Sequence, residues 1–198
     1  MTSPFTADAS LAPLPEKLDP WSLFGMEERA QIDAGELKRA YLDLSRKLHP
    51  DRFQAKGGEQ AELALAWSTA LNDAYRTLKE TPARLEALLR AHKLMPAEGT
   101  QNEKTPQDLL MEVFELRETL EDLGDAAPND AQRADLQEKR DDFSSRMSAL
   151  KTELDTLAAS WDEALDQRAK TAQSIVEAFG YRRFFQRLLG ELDKALAR

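Results

Sequence analysis

The sequence predicts an all-α fold, with an N-terminal helical hairpin followed by an antiparallel three-helix bundle. Apolar residues recur at steps of three and four along most of the chain, the period of one helical face. Thr81-Pro82, Thr105-Pro106 and Pro128-Asn129 open successive stripes, placing proline where a helix tolerates it. Charged residues make up 32% of the 198 and aromatics only 7%, which suits elongated helices with wide solvated faces.

The first nineteen residues hold Ala, Ser and Pro, without Arg or an apolar signal core, and read as a floppy leader. After Asp19-Pro20-Trp21, the apolar knot of Leu23, Phe24 and Met26 forms a brief helix stopped by Gly25. Asp33, three residues before Glu36, caps a helix whose Leu37, Tyr41, Leu44 and Leu48 share one face. Pro50 ends that helix, because the residue before a proline is pushed out of the α region. Beyond the Gly57-Gly58 loop, a helix over residues 63–78 aligns Trp67, Leu71, Ala74 and Leu78. The two stripes match in length and are expected to zip together antiparallel, with His49, Pro50 and Asp51 at the apex. Thr81-Pro82 opens a further helix through Leu85, Leu88 and Leu89.

Thr105-Pro106 opens a strict heptad of Leu109, Val113, Leu116, Leu120 and Leu123, closed by Gly124. Pro128-Asn129 opens a long helix with Leu136, Phe143, Met147, Leu150, Leu154 and Leu157 in register. Ser160 and Glu163 offer a capping box, so a break is expected there, although Trp161 would continue the register. The last stripe runs through Leu165, Ile175, Phe179, Phe185, Leu189, Leu192 and Leu196, with a phase slip near Gly180. These readings divide the chain into a disordered leader (1–17), a hairpin domain (18–80), a linker helix and loop (81–104) and a three-helix domain (105–198).

The 27 basic and 36 acidic side chains leave a net charge of −9, which argues against general affinity for nucleic acid or anionic membranes. There is no cysteine, so neither disulfides nor thiolate metal sites are available. No apolar run approaches the roughly 20 residues that span a bilayer. His49 and His92 lie in separate elements without a Glu-x-x-His pattern, so no metal or cofactor is expected, and no nucleophile motif marks an enzyme.

Two surfaces attract attention instead. The helix before the tripeptide turns Lys38, Arg39, Arg46 and Lys47 to solvent, a local cationic face in an acidic protein. Alone, it would read as an ordinary solvated helix face. Polar residues presented at a rigid turn make it a candidate for steering an acidic partner. In the first bundle helix, Leu110, Met111 and Phe114 fall at e, f and b if the heptad fills a and d. With Glu115 and Glu118 beside them, they form a partner-binding patch, or else another segment such as the 81–93 helix covers them as core.

The segments Lys38-Arg39-Ala40-Tyr41, Leu44-Ser45-Arg46-Lys47-Leu48-His49-Pro50-Asp51 and Leu71-Asn72-Asp73-Ala74-Tyr75-Arg76-Thr77-Leu78 resemble a J-domain throughout residues 20–80. The resemblance implies that His49, Pro50 and Asp51 dock on the ATPase module of a DnaK-class chaperone, with Lys38, Arg39, Arg46 and Lys47 beside them. Arg52 stands where J-domains commonly carry Lys and keeps the charge. The Gly/Phe-rich region and cysteine zinc repeats of general-purpose J-proteins are missing, which implies a specialised client.

Residues 107–120 are similar to the scaffold-holding helix of the HscB family of iron–sulfur co-chaperones, and the likeness extends over residues 20–198. It implies an HscA/DnaK-type ATPase and an IscU-type scaffold as partners. By position, Leu110, Met111, Phe114, Glu115 and Glu118 carry over as scaffold contacts, as does Phe184 from Tyr181-Arg182-Arg183-Phe184-Phe185, with either Phe184 or Phe185 facing outward. Phe114 stands where an aliphatic side chain is expected. Some relatives carry an N-terminal zinc module absent here, which implies a bacterial-type cytoplasmic form. A J-domain co-chaperone for a different client and a homomeric coiled coil are the competing readings.

Overall fold

Side-chain caps start the first two helices in the structure, a computed structural model that describes residues 3–6, 10–54, 57–96 and 107–198. The Asp19 carboxylate accepts from the N–H groups of Trp21 and Ser22 at 3.2 and 3.0 Å and starts α1, Pro20–Leu23. Asp33 accepts from Glu36 N at 2.6 Å and starts α2, Ala34–Lys47. Each carboxylate satisfies donors that the first turn of a helix leaves open. Two longer helices follow, α3 at Gly58–Lys79 and α4 at Thr81–Ala91. The α3 helix thus starts five residues earlier than the apolar stripe predicts.

Packing then joins these helices. Leu37 and Leu48 of the first stripe and Trp67, Leu71 and Leu78 of the second are all at most 2% exposed. Beside this seam the Tyr41 ring stacks on Tyr75 at 4.2 Å, and its hydroxyl donates to Asn72 Oδ1 at 2.9 Å. Leu85, Leu88 and Leu89 of α4 are fully buried, so the 81–93 helix is part of this core rather than a linker. For the described residues before 18, the expected disorder is also corrected. Leu11 is buried, and Gln60 and Trp67 of α3 hydrogen-bond the backbone of Leu11 and Ala12.

The connection between α1 and α2 is held by side chains from several elements. The Trp21 indole donates to Arg29 O at 3.0 Å, and the buried Arg84 guanidinium donates to Ala30 O and Leu78 O. The Asp162 carboxylate accepts from Ala30 N and Gln31 N, both at 2.8 Å. Residue 162 comes from the far end of the chain, yet it belongs to the same compact unit, Met1–Leu94 with Ala158–Leu165.

The second unit comprises Met95–Leu157 and Asp166–Arg198. A 3-10 turn at Gln107–Leu109 leads into α5, Leu110–Leu123, which ends at Gly124 with φ 55°, a conformation that favours glycine. Asn129 and Gln132 bond reciprocally, Gln132 N to Asn129 Oδ1 at 2.9 Å and Asn129 N to Gln132 Oε1 at 3.0 Å. This capping box opens α6, Asp130–Glu163, and α7 follows at Arg168–Leu196. From Arg133 to Phe143, α6 meets Leu196 O, then Asp193, then Phe185, so α6 and α7 run antiparallel. Glu112 pairs with Arg146 at 2.9 Å, Asp108 accepts from the Tyr181 hydroxyl, and Gly124 O accepts from Arg198. α5 therefore runs parallel to α7 and antiparallel to α6, an up–down–up bundle.

Three sequence expectations fail here. No break occurs at Ser160, because Trp161 is fully buried and carries the register through to Glu163. The α7 helix continues through Gly180 without a slip. Leu165 lies in a 3-10 turn and is 64% exposed rather than on a seam. The loop at 97–104 and the Thr105-Pro106 cap lie outside the described residues. Among the described residues there is no strand, only an isolated bridge between Phe5 and Leu11, and no helix is long and apolar enough to cross a membrane.

The clasp at Asp162 yields a stability prediction. Asp162→Ala leaves two backbone donors without their acceptor and is expected to cost about 1–3 kcal/mol, read as a lowered urea midpoint. An unchanged midpoint would mean that water replaces the carboxylate at no cost.

Candidate partner-binding surfaces

The apex of the α2–α3 hairpin is a short rigid turn. α2 stops at Leu48, whose side chain is fully buried, and its carbonyl accepts from Ser68 Oγ of α3 at 3.1 Å. His49 caps a 3-10 turn over Pro50–Arg52, its Nδ1 accepting from Asp51 N at 3.3 Å. Arg52 N donates to His49 O at 3.0 Å and Phe53 N to Pro50 O at 2.9 Å. Phe53 is 4% exposed and plugs the turn into the core. The side chains of His49 and Asp51 nonetheless remain 58% and 74% exposed. The turn is fixed from below and open above.

Lys38, Arg39, Arg46 and Lys47 are all exposed on α2. They are not equivalent. Lys47 pairs with Asp43 at 2.6 Å, and that hydrogen bond, outweighing desolvation and helped by the Lys47 and Arg46 charges, holds the Asp43 carboxyl below its usual range. Arg46 Nε donates to Leu42 O, while Arg52 Nη1 reaches Arg46 O at 3.4 Å and adds a further cation at the apex. Sequence reading missed Phe53 and Ser68 as supports of the turn. The available signal was a lone phenylalanine in an otherwise polar loop.

On α5, Leu110, Met111 and Phe114 are 51%, 70% and 66% exposed, while Val113 and Leu116 on the opposite side are 5% and 0%. Within their own unit, no described segment covers the three. Phe114 lies one turn from both Leu110 and Met111, and Glu115 and Glu118 are exposed beside them. Glu115 also lines a cleft of about 280 Å³ between α5 and α6 with Glu112, Asp135, Glu138, Lys139, Asp142 and Phe143. The apolar patch therefore borders a strongly acidic groove. The Tyr181 hydroxyl holds Asp108 before the start of α5 at 3.0 Å; partial burial, then this hydrogen bond, push the phenol above its ordinary pKa.

Among the described residues, no three His, Asp or Glu side chains are grouped to hold a metal. The arrangement suits contact with macromolecules: a cationic turn on one unit and an apolar, acid-rimmed face on the other.

A family model described as HSCB C-terminal oligomerisation domain matches residues 105–193. A "Co-chaperone protein HscB homolog" from Vibrio atlanticus is 36% identical over 154 residues, covering 76% of this chain and 86% of that protein. The chain belongs to the HscB family. A plant member, the "Iron-sulfur cluster co-chaperone protein HscB homolog" of Arabidopsis thaliana, is 32% identical over 132 residues, covering 66% of this chain and 51% of its own. The crystal structure of human co-chaperone protein HscB superposes with a TM-score of 0.66 over 95% of this chain and 89% of the human one, at 22% identity. That likeness extends the HscB fold along nearly the whole chain.

One residue carried over from the family does not lie on the surface. Phe184 and Phe185 are both 5% exposed, so neither faces outward. In the unbroken α7 helix they point about 100° apart. The buried arc of α7, with Ala178, Phe179, Leu188 and Leu192, is wide enough to take both. Phe185 packs near Phe143 at 5.9 Å between ring centroids, and the Arg187 guanidinium sits 5.5 Å from the Phe184 ring centre.

Surface and core are separable by mutation. Met111→Ser and Phe114→Ser are each expected to change unfolding free energy by no more than about 0.5 kcal/mol, whereas Leu116→Ala costs roughly 2–5 and Phe184→Ala roughly 3–5 kcal/mol. Denaturant titration of the four variants reads this directly, and a large loss at Phe114 would place it in the core.

Proposed function

We propose that this HscB-family protein is a co-chaperone that stimulates the ATPase of an HscA/DnaK-type chaperone and delivers an IscU-type scaffold to it. In this role it assists the maturation of iron–sulfur proteins in the cytoplasm. The observation that carries the first half is the His49-Pro50-Asp51 turn, with His49 and Asp51 exposed and the turn supported from below by Phe53 and Ser68. Such a turn loses little conformational freedom on docking, so its contacts appear as affinity rather than being spent on ordering. The cations beside it steer an acidic ATPase surface and raise the association rate.

The second half rests on the α5 face. Leu110, Met111 and Phe114 offer an apolar centre, and Glu115 and Glu118 offer a polar rim, the usual anatomy of a binding patch. The acidic groove beside it favours a client with a basic contact surface. The Arabidopsis relative's name supplies the iron–sulfur context. Phe184 supports this domain from inside the core rather than touching the client. With one partner on each unit, the client's effective concentration at the ATPase rises without any further contact. The chain has no thiolate to bind a cluster.

His49→Gln is expected to abolish stimulation of ATP turnover while helicity and scaffold binding persist. Retained stimulation in a steady-state assay would refute the turn's role. Met111→Ala with Phe114→Ala is expected to weaken scaffold binding by about 2–4 kcal/mol at unchanged ATPase stimulation without scaffold, measured by titration calorimetry. Equal affinity of the double variant would point to a different client for this domain.

A further inference from the structure

The N-terminal residues do more than cover α3. Ala12 N donates to Pro4 O at 3.0 Å and Thr6 N to Ser10 O at 2.9 Å, and Phe5 bridges Leu11, so Pro4–Thr6 pairs antiparallel with Ser10–Ala12. This strap lies on α3. The Gln60 side-chain amide accepts from Leu11 N at 2.8 Å and donates to Leu11 O at 3.4 Å, gripping one residue of the strap from both ends. The Trp67 indole N–H donates to Ala12 O at 2.7 Å. Gln60 and Trp67 are seven residues apart, two turns on one helical face. Leu11 itself is 3% exposed and closes the contact with apolar burial.

The place where the strap binds matters. α3 begins at Gly58, after Gly57 at φ 104°, and no side chain caps it. Two glycines and an uncapped first turn make a helix start that frays by itself. That first turn is also the far end of the loop carrying His49, Pro50 and Asp51, whose nearer supports are Phe53 and the Ser68–Leu48 bond. A frayed start would free the loop on its α3 side.

We infer that the strap is a positioning device for the apex turn, with Leu11 and Gln60 as its key residues. By fastening the first turn of α3, it holds the loop in the geometry that docks, so the turn is ordered before its partner arrives. The inference rests on the proposed role of the turn in ATPase stimulation. Its signature is a change in the concentration needed for stimulation, not in the maximal rate, because the docking side chains themselves are untouched.

The test uses the full chain with Leu11→Ala and Gln60→Ala separately. Each is expected to raise the half-saturating concentration for stimulating ATP turnover of an HscA/DnaK-type chaperone about three- to tenfold, with the maximal rate unchanged. Amide exchange within residues 57–62 is expected to quicken about tenfold, while scaffold binding stays as it was. Gly58→Ala, whose added methyl meets nothing within 4 Å, strengthens the helix start and is expected to restore the Gln60→Ala variant. Unchanged exchange at 57–62 in both variants overturns the inference, as does a fall in maximal rate without a shift in half-saturation. If His49→Gln still stimulates, the role of the turn fails instead, and the exchange measurement then judges by itself whether the strap holds the loop.

Discussion

The seam between α2 and α3 is the contact on which the rest of the first unit depends. Leu37 and Leu48 interlock with Trp67, Leu71 and Leu78, and burying each such side chain contributes about 1.5–3 kcal/mol. Leu48 is both the last residue of this seam and the C-cap of α2. Because it is pinned inside, the chain must reverse within the next few residues, and Pro50 prevents the helix from running on. The tripeptide is therefore displayed by a core contact at the residue immediately before it. Its exposure follows from hydrophobic packing, while its rigidity comes from Phe53 and the Ser68 hydroxyl.

Charge is distributed with equal economy. The chain carries a net −9, yet the hairpin exposes Lys38 and Arg39 along α2 and Arg46 and Arg52 near its apex. The α5–α6 cleft gathers Glu112, Glu115, Glu138 and Asp142 beside an apolar patch. In the proposed role, opposite signs on the two surfaces discriminate between partners at the stage of encounter. The exposed ion pairs add little to stability, and Lys47–Asp43 chiefly removes one cation from the hairpin face.

Secondary structure was largely legible in the sequence because helices are decided by near neighbours. The Asp33 cap and the stop at Gly124 are contacts or torsions within a few residues, and both lie where composition put them. The reciprocal Asn129–Gln132 box was overlooked although its spacing was present. Ser160 shows the limit of the same reasoning. It offered a plausible cap, but Trp161 has a buried site to fill, and its burial outweighs a cap of about 1 kcal/mol. The leader was misread for a related reason: its composition is that of a flexible segment, while its partners Gln60 and Trp67 lie about 50 residues away.

By itself, then, the sequence determined the helical class, the Asp33 cap, the position of the tripeptide and the surplus of apolar residues on α5. Which of those apolar residues stay in water was decided only by the tertiary structure. Phe114 and Phe184 are the same residue, both on amphipathic helices, yet one is 66% exposed and the other 5%. Periodicity gives the direction of a side chain about its own helix axis. Burial depends on what another part of the chain places opposite it, and that is a property of packing over long sequence separations.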